Sequence, residues 1–171
     1  MAKIDNYALK LWDLEGGFVN HKDDKGGATN RGITFATYKD YRNEIGKTEP
    51  TVNDLRNIGF SEYVNILRWH SWDRWQADKI NSQQVAELLV DWVYNSGSWG
   101  IKKPQTFLGL KPDGLVGAKT LKAVNDYDPR LLFTHIKSMR KEFYLAIVKA
   151  NPSQKVFLKG WMNRIDSFNY V

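Results

Sequence analysis

Apolar residues return every three or four positions along most of this 171-residue chain, and that period restricts it to a largely helical architecture. The clearest run follows Ser82, where Val85, Leu88, Leu89, Trp92 and Val93 fall on one helix face. Asp128-Pro129 is a cap followed by proline at the first helical position. It opens a longer helix through Leu132, Ile136, Met139, Phe143 and Ile147 that stops before Asn151-Pro152. The same spacing predicts a helix over Phe35, Tyr38 and Tyr41 capped by Thr34, and another from Ser61 carrying Tyr63, Ile66, Leu67 and Trp69. Thr51 with Asp54 reads as a capping box, and a last helix carries Phe157, Trp161, Ile165 and Phe168. Pro104 starts or kinks a helix, and Lys111-Pro112-Asp113-Gly114 is a turn.

The first helix raises a chemical question. Its stripe runs Ile4, Ala8, Leu11 and then Glu15, just before Gly16-Gly17, a pair able to take the left-handed cap conformation. A carboxyl on an apolar face is partly desolvated, and the negative end of the helix adds to the pressure toward its neutral form. A carboxylic acid kept neutral is a proton donor for a leaving oxygen. The plainer alternative is a helix cap with Glu15 turned into solvent. Residues 16 to 33 have little helical period and predict a small hairpin or ordered loop. Within it, Asp24 and Thr29 supply an acid and a hydroxyl, the groups an inverting glycosidase needs to hold water opposite its acid. Gly26, Gly27 and Gly32 let that backbone turn tightly.

Composition narrows the chemistry further. The chain has no cysteine, which excludes disulfides and thiolate chemistry, and His21, His70 and His135 lack ligand spacing, so no metal site is expected. The net charge of +6 suits an anionic polymer, but basic residues are spread out, with only short pairs such as Lys102-Lys103 and Arg140-Lys141. That distribution carries no nucleic-acid motif. No stretch reads as a secretory leader or a membrane span, so neither a Sec route nor membrane insertion is expected.

The stretch EGGFVNHKDDKGGATNRGIT closely resembles the signature of glycoside hydrolase family 108, the N-acetylmuramidase-like lysozymes. That pattern is an E-G-G-[FY]-V-N opening followed by D-x-G-G-x-T-x-x-G-I-T. The resemblance implies a mainly α, lysozyme-like α+β fold: a helical bundle with a small β-hairpin insert after the first helix. It puts the catalytic glutamate on Glu15, and likeness to phage-type lysozymes makes Asp24 and Thr29 the groups that position water. Asp91 to Gly97 resembles the family's second block, residues 105 to 120 the peptidoglycan-binding region that follows, and Phe157 to Arg164 its closing helix. His21-Lys22 replaces the usual Asp-Pro, and Lys25 stands where proline is common.

The implied organisation is a catalytic region over 1-96 and a peptidoglycan-binding-like region with C-terminal helices over 97-171, packed as one unit. Asp91 and Asn95, four apart on one helix face, are expected either to contact substrate or to make structural hydrogen bonds. Tyr94 and Trp99 are candidate cleft walls, and Arg31 a candidate contact for an anionic stem peptide. Trp69, Trp72 and Trp75, spaced by three, read as core. The expected function is hydrolysis of the bond between N-acetylmuramic acid and N-acetylglucosamine. The expected enzyme has no cofactor, peptidoglycan as partner, a monomeric state, and action at the wall or periplasm after cytoplasmic synthesis. A lytic transglycosylase and a non-catalytic wall-binding or secretion-assisting module are the alternatives.

Overall fold

The computed structural model describes residues 1–20, 27–47 and 49–171 and divides them into two compact units: residues 3–72, and residues 73–171 with the first two residues. Among the described residues the protein is mainly α-helical with one small antiparallel sheet, as the helical period predicts.

In the unit of residues 3–72, α1 spans Ile4–Leu14 and buries Ile4, Tyr7, Ala8 and Leu11. Three two-residue strands follow: β1 Phe18–Val19, β2 Thr29–Asn30 and β3 Ile33–Thr34, ordered β1-β2-β3. Thr34 ends β3 and caps α2, Phe35–Glu44, by accepting the Thr37 N–H at 3.1 Å. The capping box at α3, Val52–Arg56, forms as the sequence predicts: Thr51 Oγ1 accepts from Asp54 N, and Asp54 Oδ2 accepts from Thr51 N at 2.7 Å. Those hydrogen bonds hold the Asp54 carboxyl below its ordinary pKa. Helix α4, Phe60–Leu67, begins one residue before the predicted Ser61, with Gly59 at its cap, and runs into a single π-helical turn over Arg68–Trp72. Tyr38 ties α2 to α4: it accepts from Arg42 at 2.6 Å and donates to Glu62 at 3.3 Å, while burial pushes its phenol up. Tyr63, Ile66, Leu67 and Trp72 fill the core of this unit.

In the other unit, two 3₁₀ turns over Asp73–Trp75 and Ala77–Lys79 precede α5, Gln83–Ser96, which Ser82 caps. Every residue from Val85 to Val93 is buried, so α5 is the central helix. Helix α6, Trp99–Phe107, crosses it where Gly100 sits: a Cβ there would lie 2.5 Å from Val93 N, so only glycine permits the approach. Pro104 lies inside α6 rather than starting it. Helix α7 spans Ala118–Asp126. Asp128 caps α8, Pro129–Ala150, accepting from Leu131 N at 2.8 Å, and α9, Lys155–Asp166, folds back on α8.

Candidate active site

The end of α1 answers the question that Glu15 raises. Glu15 is the C-cap: its φ of −76° is near helical and its N–H still bonds the Leu11 carbonyl at 2.8 Å, so its side chain keeps the position that continues the apolar stripe. Its ψ of 135° sends the following chain away from the helix. Helix α1 therefore stops through the glutamate's own backbone, and the expected left-handed glycine cap does not form, because neither Gly16 nor Gly17 has a positive φ. The Glu15 side chain is half-buried. A Cβ added at Gly16 or Gly17 would meet nothing within 4 Å among the described residues.

The sheet is tied to the helix ends around it. Thr29, half-buried, lies on the central strand β2, opposite Val19 on one side and Thr34 on the other. Arg31 and Gly32 form the two-residue turn between β2 and β3, with φ of 47° and 76°, the positive pair of a type I′ hairpin. From this turn Arg31 reaches α1: its guanidinium stacks 3.7 Å from the Trp12 ring centroid and donates to the Trp12 carbonyl. The cation meets the negative end of α1, one turn before Glu15. Asn30 is buried and donates to the Leu55 and Arg56 carbonyls at 2.9 and 3.1 Å, satisfying the end of α3. Arg56 in turn stacks 4.5 Å over Phe18 of β1. Trp12 also packs edge-on against Phe60 and Tyr63 of α4.

Glu15, Thr29 and Arg31 thus belong to one braced assembly of α1 and the sheet. Arg31, read from sequence as a contact for stem peptide, has its guanidinium engaged with Trp12. Asp24 lies outside the described residues, as do His21, Lys22 and Lys25. Sequence reasoning missed Trp12 and Asn30. The Asn-Arg-Gly order before Ile33 was the available signal for the turn, but nothing local to Trp12 marked it as the anchor.

The second group of candidates lies on α5 and α6. Asp91 is fully buried and makes structural hydrogen bonds, the second of the two alternatives its sequence position left open. Arg140 donates to its Oδ2 at 3.0 Å and Arg164 to its Oδ1 at 2.8 Å, so the carboxylate joins α5, α8 and α9. Burial works to raise its pKa, but the two guanidinium groups prevail and hold it below the ordinary carboxylate range. Asn95 is exposed, and its amide donates back to the Asp91 carbonyl at 2.7 Å and to Oδ2 at 3.2 Å. Tyr94 is half-buried, with the Arg164 guanidinium 5.7 Å from its ring. Trp99 is 50% exposed at the start of α6, beside Lys102 and Lys103. Trp72 and Trp75 are fully buried, each in the core of its own unit, while Trp69 keeps a partly open face.

Among the described residues, no cluster of histidine and acidic side chains is suited to hold a metal ion. No helix among them is long and apolar enough to cross a membrane.

The glycosyl hydrolase 108 model matches residues 9–97, more than half of the chain. This chain belongs to the glycosyl hydrolase 108 family. A predicted peptidoglycan domain matches residues 99–166, directly after it. Among solved structures, the glycosyl hydrolase 108 chain is similar to SagA of Brucella abortus, with 26% identity and a TM-score of 0.80 over 96% of this chain and 90% of that one. No curated protein matches it. The two family regions meet at 97–99, whereas contacts divide the chain at 72/73. Helix α5, which carries the end of the glycosyl hydrolase 108 match, packs on α6 and α8. The protein is a glycoside hydrolase related to peptidoglycan.

Proposed function

We propose that the protein is an N-acetylmuramidase that hydrolyses the bond between N-acetylmuramic acid and N-acetylglucosamine in peptidoglycan. Glu15 protonates the leaving glycosidic oxygen, and Thr29 together with Asp24 positions the water that attacks the sugar. The observation that carries this reading is the end of α1. A half-buried carboxyl stands at a helix C-terminus, followed by two glycines that neither positive φ nor packing among the described residues demands. Bare backbone beside an acid lets a polymer chain approach closely. The water-positioning role proposed for Thr29 is supported by its place on the central strand β2, paired on both edges, in a hairpin whose turn residue Arg31 is anchored on α1. Asn95, Tyr94 and Trp99, in the unit of residues 73–171, are proposed to contact peptidoglycan sugars, and the enzyme acts at the wall without a cofactor.

Mass spectrometry of fragments released from purified sacculi tests the reaction type. Muramic acid with a free reducing end is the expected product. Anhydro-muramic ends would show that no water enters and would make the enzyme a lytic transglycosylase. Thr29→Val removes one hydrogen-bonding group from the water site and should slow release by about tenfold, the worth of one such bond.

A further inference from the structure

The D-G turn that marks the peptidoglycan region spends its polar groups on itself. Gln105, buried on α6, donates to Asp113 Oδ1 at 3.1 Å and to the Leu115 carbonyl at 2.9 Å, and accepts from Gly114 N at 2.9 Å. Asp113 also accepts from Leu115 N at 2.9 Å, and these bonds hold its carboxyl below the ordinary range. Gly114, at φ 77°, makes the turn possible. The sequence feature that marks this region therefore builds the turn, and little of it is left to recognise a sugar.

A different surface of the same region has what glycan binding requires. Trp99 of α6 lies 6.3 Å from Phe143 of α8, Phe143 lies 5.5 Å from Tyr144, Tyr144 stacks on Trp161 of α9 at 4.7 Å, and Trp161 lies 5.9 Å from Phe157. The two ends are open, Trp99 at 50% and Phe157 at 53%, and Phe143 and Trp161 are half-buried between them. Tyr144 is buried beneath and bonded through its hydroxyl to Ser96 Oγ at 3.2 Å, which fixes the stack. Phe143 is held from below by the buried Trp92, 5.8 Å away. A single exposed apolar residue means little, but a connected run of preset aromatic faces on a protein surface marks an interaction site. At its Trp99 end the run carries two ammonium groups, Lys102 and Lys103 Nζ, each 5.6 Å from the indole centroid.

We infer that this aromatic run on α6, α8 and α9 is the surface on which the C-terminal region holds peptidoglycan glycan strands. Aromatic rings cover the apolar C–H faces of the sugars, and Lys102 and Lys103 meet the carboxylates of muramic acid and its stem peptide. All of these residues fall within the matched peptidoglycan domain. The inference rests on the peptidoglycan reading above and gives that binding its surface.

The test is co-sedimentation of the full chain with purified sacculi, in a Glu15→Gln background so that the polymer stays intact. Trp99→Ala with Phe157→Ala should weaken binding by at least ~tenfold with an unchanged thermal midpoint, since both side chains are half exposed. Lys111→Ala with Lys119→Ala, both beside the D-G turn, should leave binding as it was. Equal binding by the aromatic variant and its parent would overturn the inference and leave the hydrolase reading standing. So would loss of binding only in the Lys111 and Lys119 variant. The inference also fails if the aromatic substitutions merely dissolve a dimer in sedimentation velocity. A parent that does not sediment with sacculi would overturn the inference along with the peptidoglycan reading.

Discussion

Pro104 removes an N–H from the interior of α6, and the carbonyl it strands is that of Gly100. The indole of Trp75 donates to that carbonyl at 3.3 Å. A buried tryptophan thus restores the bond that proline takes away, and Gly100 stands close enough to α5 for both to fit. Trp75→Phe keeps most of the volume but leaves the carbonyl unsatisfied, and urea unfolding should show a loss of about 1–3 kcal/mol. Asp91 is a second case. Asp91→Asn strands the Arg140 guanidinium, 1% exposed, and should cost about 3–5 kcal/mol, as breaking one side of a buried ion pair does. Because the folded carboxyl titrates below its ordinary value near 3.8, its contribution is complete above that pH. It is lost as pH falls further, since the unfolded chain takes up the proton first. Unfolding free energy measured from pH 7 to pH 3 should therefore drop more steeply near the acid end in wild type than in Asp91→Asn.

At the level of elements, the sheet is too short to hold itself, with two residues in each strand. Its rigidity comes from side chains that bind helix ends: Arg31 on α1, Asn30 on α3, and Arg56 on Phe18. Arg31 accepts a left-handed backbone to do this, a conformation that costs a side-chain-bearing residue about 1–2 kcal/mol. Arg31→Lys keeps the charge but loses the planar stack on Trp12. It should lower urea stability by about 1 kcal/mol, and fragment release should fall with it because Thr29 is no longer held against α1. Full turnover in Arg31→Lys would separate the hairpin from the chemistry.

Across the whole molecule, what could be read from sequence was local. Thr34, Thr51, Ser82 and Asp128 cap helices as their spacing predicts, since a cap and its partner are neighbours in the chain. Glu15 stood out for the same reason. What stayed hidden was set by distant partners. Asp91 meets Arg140 and Arg164 at separations of 49 and 73 residues, and the donor that lets Pro104 sit inside α6 lies well upstream. A polar pair on a helix face looks the same in sequence whether it faces a sugar or two arginines. The charge of +6 also acts at this scale: sacculus binding should weaken as salt rises from about 0.05 to about 0.5 M, because screening shortens the reach of the basic surface.

The central claim is that Glu15 delivers the proton, and a turnover comparison on purified sacculi tests it most directly. Glu15→Gln preserves size and hydrogen bonding but cannot donate an acidic proton. With thermal unfolding unchanged, its rate of fragment release should fall by at least ~100-fold, the lower bound for losing a general acid. Release within a few-fold of wild type would contradict the account and leave the glutamate at the end of α1 as a helix cap.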